Sequence, residues 1–196
     1  MEDEGREAFT PLHDQLEGTA GRKRMKHILL ILLVATAPLY AQQGPQDLHP
    51  YFSPNGGCTQ AVVSVLNTAQ KTVLVQAYSF TSAPIARALV DAKKRGVDVQ
   101  VILDKSQRTE RYSSATFLAN EGIPTYIDPV HKIAHNKVMI IDGQTVITGS
   151  FNFTKAAEQG NAENLLVINN APKLAARYTA NWKEHLGHLE LYQARN

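Results

Sequence analysis

The chain has 196 residues, 43% hydrophobic and 19% charged, which excludes a wholly disordered protein and leaves room for one domain with appendages. A formal charge of +2 is too mild to imply nucleic-acid binding unaided; residues 1–41 hold six of the 18 acids and five of the 20 bases, leaving 12 against 15 in residues 42–196. Cys58 is the single cysteine, so an intrachain disulfide and any zinc site built on several cysteines are ruled out.

Residues 1–24 are polar, with Glu2, Asp3, Glu4 and Glu7 and no apolar periodicity. They read as a disordered arm, or as a leader upstream of a true start at Met25. Residues 25–41 have the layout of a secretory signal peptide: Lys26, a short apolar stretch from Ile28 to Ala37, and the small Ala41 at a cleavage position. That stretch is shorter than the ~20 residues that span a bilayer comfortably. The expectation is a periplasmic or secreted protein. An uncleaved segment acting as a signal anchor is the alternative, and would be the route to membrane contact.

Residues 42–196 form the expected domain. Gly56-Gly57 precedes a helix from Cys58 to Gln70, with Ala61, Val62, Val65 and Leu66 on one face. Thr72 to Tyr78 is a buried strand. Ser82 caps a helix with Pro84 in its first turn, ending at Arg95-Gly96. Val97 to Leu103 is the next strand, followed by a polar loop with Lys105, Arg108 and Arg111. A short helix, Ala115 to Asn120, and a strand, Pro124 to Ile127, come next. Lys137 to Ile141 and Thr145 to Ile147 flank Asp142-Gly143, a strong hairpin signal. Asn164 to Ile168 is a sixth strand, and Ala171 to His185 a final helix with Leu174, Tyr178 and Trp182 on one side. Alternating strands and helices predict an α/β fold, a mixed β-sheet sandwiched by helices on both faces.

Chemistry concentrates between His135 and Asn152. His135 and Lys137, two apart on a strand, point to one side. A two-residue turn at Asp142-Gly143 would set His135 opposite Ser150 and Lys137 opposite Thr148, bringing Ser150 and Asn152 onto that face. A three-residue loop would break this parity. Lys137 and Asn152 donate hydrogen bonds and offer no carboxylate for a metal, which makes a cradle for a phosphate and for its transition-state charge. A neutral His135 has a free ring nitrogen able to attack phosphorus. Its other nitrogen needs a partner, and Glu163 is the best candidate in this region.

His135-x-Lys137-x4-Asp142 followed by Gly149-Ser150-x-Asn152 resembles the signature of the phospholipase D superfamily, and Glu163 stands where that family keeps a later acidic residue. Tyr51 to Gly57 and the strand end Gln76 to Phe80 also look familial. The resemblance is greatest to small exported bacterial endonucleases with one motif copy. It implies a phospholipase D-like fold and metal-independent, two-step phosphodiester hydrolysis through a phosphohistidine, with no cofactor. Two histidines are needed, one attacking and one protonating the leaving oxygen. With one motif copy here, the second would come from another subunit, giving a homodimer with the active site at its two-fold interface. Asp142 would then support the turn rather than touch phosphate.

His131 is ambiguous: an intrachain acid that removes the need for a dimer, or a residue lining the substrate entrance with Lys132. Lys105 and Arg108 are candidate phosphate contacts. His185 and His188 read as surface residues near the helix end. Three functions follow: a nuclease cleaving DNA and/or RNA with little sequence preference, a phospholipid or cardiolipin hydrolase with the same site, and a catalytically silent nucleic-acid-binding dimer. The second would want an apolar, Trp- or Phe-rich surface beside the site; Phe151 and Phe153 read as core.

Overall fold

The computed structural model describes residues 46–194; the leader and the export segment lie outside the described residues. One eight-stranded sheet organises the domain, in the order β1-β7-β6-β5-β2-β3-β4-β8. These strands are β1 (Asp47–Ser53), β2 (Thr72–Ala77), β3 (Asp98–Asp104), β4 (Thr125–Asp128), β5 (Lys137–Ile141), β6 (Thr145–Gly149), β7 (Glu163–Asn169) and β8 (Glu190–Leu191). The β2-β3-β4 block is parallel and every other pairing is antiparallel. The helices are α1 (Cys58–Thr68), α2 (Ala83–Lys94), α3 (Ala115–Asn120), α4 (Lys155–Gln159) and α5 (Pro172–His185).

Period-two alternation assigns each strand's residues to one of two cores. Val73, Val75, Val99, Val101, Leu103, Met139, Ile141 and Ile147 meet α1, α2 and α3 on one face. Ile102, Val138, Ile140, Val146 and Ile168 meet α5 on the other, where Trp182 is buried and its Nε1–H donates to the Val75 carbonyl at 3.0 Å. The expected sandwich of a mixed sheet between helices is therefore present. β5 is buried along its whole length, as a strand covered on both faces must be. Cys58 is a buried apolar residue at the start of α1.

Local details differ from the sequence reading. Ser82 stands at the N-cap of α2, yet its hydroxyl makes no capping bond; Pro84 and the Ser82 carbonyl, which accepts from Ala86 N–H at 3.0 Å, start the helix instead. Arg95 donates its guanidinium to the Leu66 carbonyl at 2.8 Å and ties α2 to the end of α1.

The hairpin register is one residue out of step with the expected parity. A tight turn does form, with Asp142 and Gly143 at positive φ and Gln144 N–H donating to the Ile141 carbonyl at 3.0 Å. The ladder nevertheless pairs Ile141 with Thr145, Ile140 with Val146 and Met139 with Ile147. Gln144 is the extra residue: its carbonyl accepts from Ala171 N–H at 2.8 Å, at the start of α5, and leaves the ladder. Continued in this register, His135 would face Phe151, so parity cannot be what gathers the polar groups. Strand ends gather them.

Candidate active site

The common neighbour of the site segments is the chain leaving β2. Tyr78 N–H donates to the Asn136 carbonyl at 2.8 Å, and Asn136 Nδ2 reaches Gln76 Oε1 at 3.1 Å, which fixes the approach to β5. On the other side Thr81 and Ser82 N–H groups both donate to the Phe153 carbonyl, and Phe80 bridges Phe153. The two polar segments, 135–137 and 150–153, are thus both laced to residues 76–82.

His135 is exposed, and its ring lies 4.5 Å from the Tyr78 ring, tilted by 52°. Lys137 is buried; its Nζ sits 5.0 Å from the Tyr78 centroid and donates to the His135 carbonyl at 2.8 Å, keeping two N–H donors for a ligand. Burial pushes the Lys137 pKa below its usual value, and the negative charge of Glu163 partly opposes that fall. Tyr78 was not foreseen as a site residue. Its position at the end of β2, the strand beside β5, was the available signal.

Ser150 and Asn152 are held by alternation. Phe151 and Phe153 are fully buried, so the intervening Asn152 points away from that core. Its Oδ1, an acceptor, is buried without a hydrogen-bond partner among the described residues, which costs about 1–3 kcal/mol; its Nδ2–H₂ is the end able to donate to an anionic oxygen. The Ser150 hydroxyl accepts from Asn164 N–H at 3.0 Å and Nδ2–H at 3.3 Å, while the Ser150 and Phe151 amides donate to the Asn164 carbonyl. Gly149 makes this clasp possible: at φ +146°, a Cβ there would stand 2.3 Å from that carbonyl oxygen.

Glu163 is half-buried beside Ser53, whose hydroxyl accepts from Glu163 N–H at 3.2 Å. Its carboxylate takes Asn161 Nδ2–H at 3.1 Å, so its direct partner in this chain is Asn161 rather than the His135 ring. Asp142 is set apart, about 16 Å along β5 from Lys137 at ~3.3 Å per residue. Its carboxylate accepts from Lys71 N–H at 2.7 Å and from Gln70 and Thr72 N–H at 2.9 Å. Burial alone would raise its pKa; these amides outweigh burial and lower it.

Three other candidates have partners of their own. Lys105 Nζ donates to the His131 carbonyl at 2.8 Å, and Arg108 is ion-paired with Glu190. His131 turns Nδ1 to the buried Asp128, and His185 and His188 approach the same carboxylate. His185 is itself buried, which corrects its reading as a surface residue. Burial of Asp128 would raise its pKa, but bonds from His185, from the His131 amide and ring, and from His188 hold it well below the carboxylate range. The spacings Asp128-x2-His131 and His185-x2-His188 were the signal that went unread.

An exposed imidazole, a buried lysine ammonium with two N–H donors to spare and the Asn152 carboxamide, which donates through Nδ2–H, share one sheet rim, and such donors suit an anionic oxygen centre such as a phosphate. The chain belongs to the phospholipase D superfamily: residues 62–186 match the family model described as cardiolipin synthase, PLD-like domain. It is 42% identical to Nuc from Salmonella typhimurium, a phospholipase D family member of known crystal structure, with a TM-score of 0.73 over 76% of this chain and 99% of that one. It is 45% identical over 131 residues to a phospholipase D of Rickettsia bellii, 67% of this chain and 65% of that protein, so it spans under two thirds of that relative's length. A mitochondrial cardiolipin hydrolase of Xenopus laevis is 31% identical over 120 residues, 60% of this chain and 57% of that protein.

Proposed function

We propose that this domain is a phosphodiester hydrolase, acting as a nuclease of low sequence preference on DNA and/or RNA, with His135 as nucleophile. The observation that carries the reading is the exposed His135 ring and the buried Lys137 ammonium packed against the same Tyr78 ring, on the rim that also holds the Asn152 carboxamide. A ring nitrogen of His135 attacks phosphorus, the P–O bond to the leaving group breaks, and that oxygen takes a proton from a second imidazolium. Water then gives its proton to the second imidazole and attacks phosphorus, which breaks the P–N bond and frees His135. Lys137 and Asn152 hold the non-bridging oxygens as charge builds on them.

The second imidazole belongs to the His135 of another copy of the chain across a two-fold axis. His131 is occupied elsewhere, its ring neighbours being His185 and His188 while that of His135 is Tyr78. The exposure of His135 suits closure by a partner. The remaining acids and bases outside residues 1–41, 12 against 15, favour a polyanion. A periplasmic or secreted location, reached by the segment 25–41, fits a substrate outside the cytoplasm.

One observation favours a lipid substrate as the second reading. Phe52, Val130 and Ile133 are exposed, and the last two lie in the loop that leads to His135, where a membrane-facing apolar surface would be needed. Wild type and His135→Asn are compared on DNA, RNA and cardiolipin vesicles. Nucleic-acid cleavage that His135→Asn abolishes supports the proposal; cleavage of vesicles alone replaces it with the second reading, and equal activity in the variant removes the nucleophile. Mixed dimers of wild type and His135→Asn are inactive if both histidines are required. Activity in every mixed dimer refutes the shared site.

A further inference from the structure

Asp128 and its three histidines form a second concentration of chemistry, independent of the hydrolytic reading. Asp128 ends β4 with its side chain fully buried. Its Oδ1 faces the chain itself, accepting from Val130 N–H at 3.1 Å and His131 N–H at 3.2 Å. Its Oδ2 is met by His131 Nδ1 at 2.8 Å, His185 Nδ1 at 2.9 Å and His188 Nε2 at 3.4 Å. The three rings stand 5.0, 5.3 and 5.4 Å apart, centroid to centroid.

The geometry points to a binding site for one zinc-type transition-metal ion, ligated by Asp128, His131, His185 and His188, that staples the end of α5 to the loop leading to His135. Three imidazole nitrogens on one oxygen exceed its two lone pairs, whereas a cation at their centre accepts a lone pair from each. All four donor atoms already lie within 4.8 Å of one another. Bonds of about 2.0–2.1 Å in a tetrahedron place ligand atoms roughly 3.3 Å apart. The three oxygen–nitrogen separations straddle that value, and the nitrogen–nitrogen separations, none above 4.8 Å, close to it by side-chain rotation of up to about 1.5 Å.

The donor set selects the ion. Three imidazoles and one carboxylate suit Zn²⁺ or a neighbouring transition metal, and disfavour Mg²⁺ and Ca²⁺, which take oxygen ligands. The two amides on Oδ1 orient the carboxylate, as outer partners do in metal sites. The ligands come as two pairs of i, i+3 spacing from segments far apart in sequence, so an ion here closes a long loop. Burial is graded from Asp128 and His185 to the half-exposed His131, which leaves an entry side. The stapled loop is short: Ala134, one residue before His135, is held by Asp104 Oδ2 at 2.7 Å.

The test uses the full chain, stripped with a chelator and given Zn²⁺ or Co²⁺ alone. One equivalent of metal per chain, a Zn²⁺-dependent rise in melting temperature of several degrees, and the intense visible absorption of four-coordinate cobalt are expected. His131→Asn and His188→Gln, at the two more exposed ligands, should lose the cobalt band and the Zn²⁺-dependent rise, while His49→Asn keeps both. A stripped wild type with no cobalt band and a melting temperature indifferent to Zn²⁺ overturns the site, as does undiminished binding by both ligand variants. Phosphodiester cleavage by the stripped protein, assayed below its melting temperature, reports separately on the metal-free chemistry of His135.

Discussion

Replacing Asp142 by Asn separates a structural carboxylate from a chemical one. Asn keeps the shape and tolerates the left-handed conformation, here φ +54°. The two amides on Oδ1, from Lys71 and Thr72, can still donate to the Asn carbonyl oxygen, but without charge assistance. The third, from Gln70, would meet an NH₂ group and turn to solvent. Hydrogen bonds to charged groups contribute about 1.5–3 kcal/mol and neutral ones about 0.5–1.5. One bond lost and two weakened, discounted because the clamp is partly solvated, come to roughly 2 kcal/mol. With a urea dependence of about 2 kcal/mol per molar, the unfolding midpoint at pH 7 falls by about 1 M. The folded pKa of Asp142 is lowered, so this stabilisation is complete above the unfolded value near ~3.9 and disappears as pH falls through the folded one. The gap between wild type and Asp142→Asn should therefore narrow toward pH 3. Cleavage per folded molecule should stay at the wild-type rate. Equal midpoints at pH 7, a gap that persists in acid, or a hundredfold drop in kcat at full stability would each refute this account.

Gly149→Ala forces a Cβ against the Asn164 carbonyl at a left-handed φ, and should cost about 3 kcal/mol or prevent folding; a near-native melting temperature would contradict the close approach. Trp182→Phe removes the indole donor to the Val75 carbonyl and part of the buried ring, and should cost about 1–3 kcal/mol by urea denaturation. Asn152→Ala should lower kcat about 10²–10³-fold with no loss of stability, since its carboxamide oxygen has no partner within the described chain to lose. With Lys137 holding the phosphate as proposed, activity should fall on the alkaline side at a pH below lysine's usual range. Glu163→Gln removes the opposing charge and should move that limb lower still in a pH–rate profile; an upward shift would contradict the assigned interaction.

Residues with local causes were legible in the sequence. β5 occupies the expected Lys137 to Ile141 because a continuous apolar run bounded by a turn admits little else. The turn at Asp142-Gly143 follows from their tolerance of positive φ. What was missed depends on distant partners. The register slipped because the Gln144 carbonyl bonds to Ala171, a contact that no hairpin rule contains. The grouping of His135, Lys137, Ser150 and Asn152 in the motif was readable, yet the physical reason lies in residues 76–82, between the two segments. β1 went unread because Pro50 and its exposed, weakly alternating residues suit an edge strand and carry little periodic signal. Burial of His185 comes from a carboxylate 57 positions earlier, and helical spacing cannot report that.

β1 is the first strand among the described residues and the outermost at its end of the sheet, and its sheet partner is β7. Asp47 lies opposite Asn169 and Ser53 opposite Glu163, so this strand must wait for nearly the whole domain before it can pair. Ser53 then bonds both the Asn161 carbonyl and the Glu163 amide, the segment that carries the acidic residue of the site. A nascent chain halted before β7 therefore holds the His135 motif without its acidic flank. Both ends of the domain must emerge and meet before the rim is complete, which delays its completion until synthesis of the domain is nearly finished.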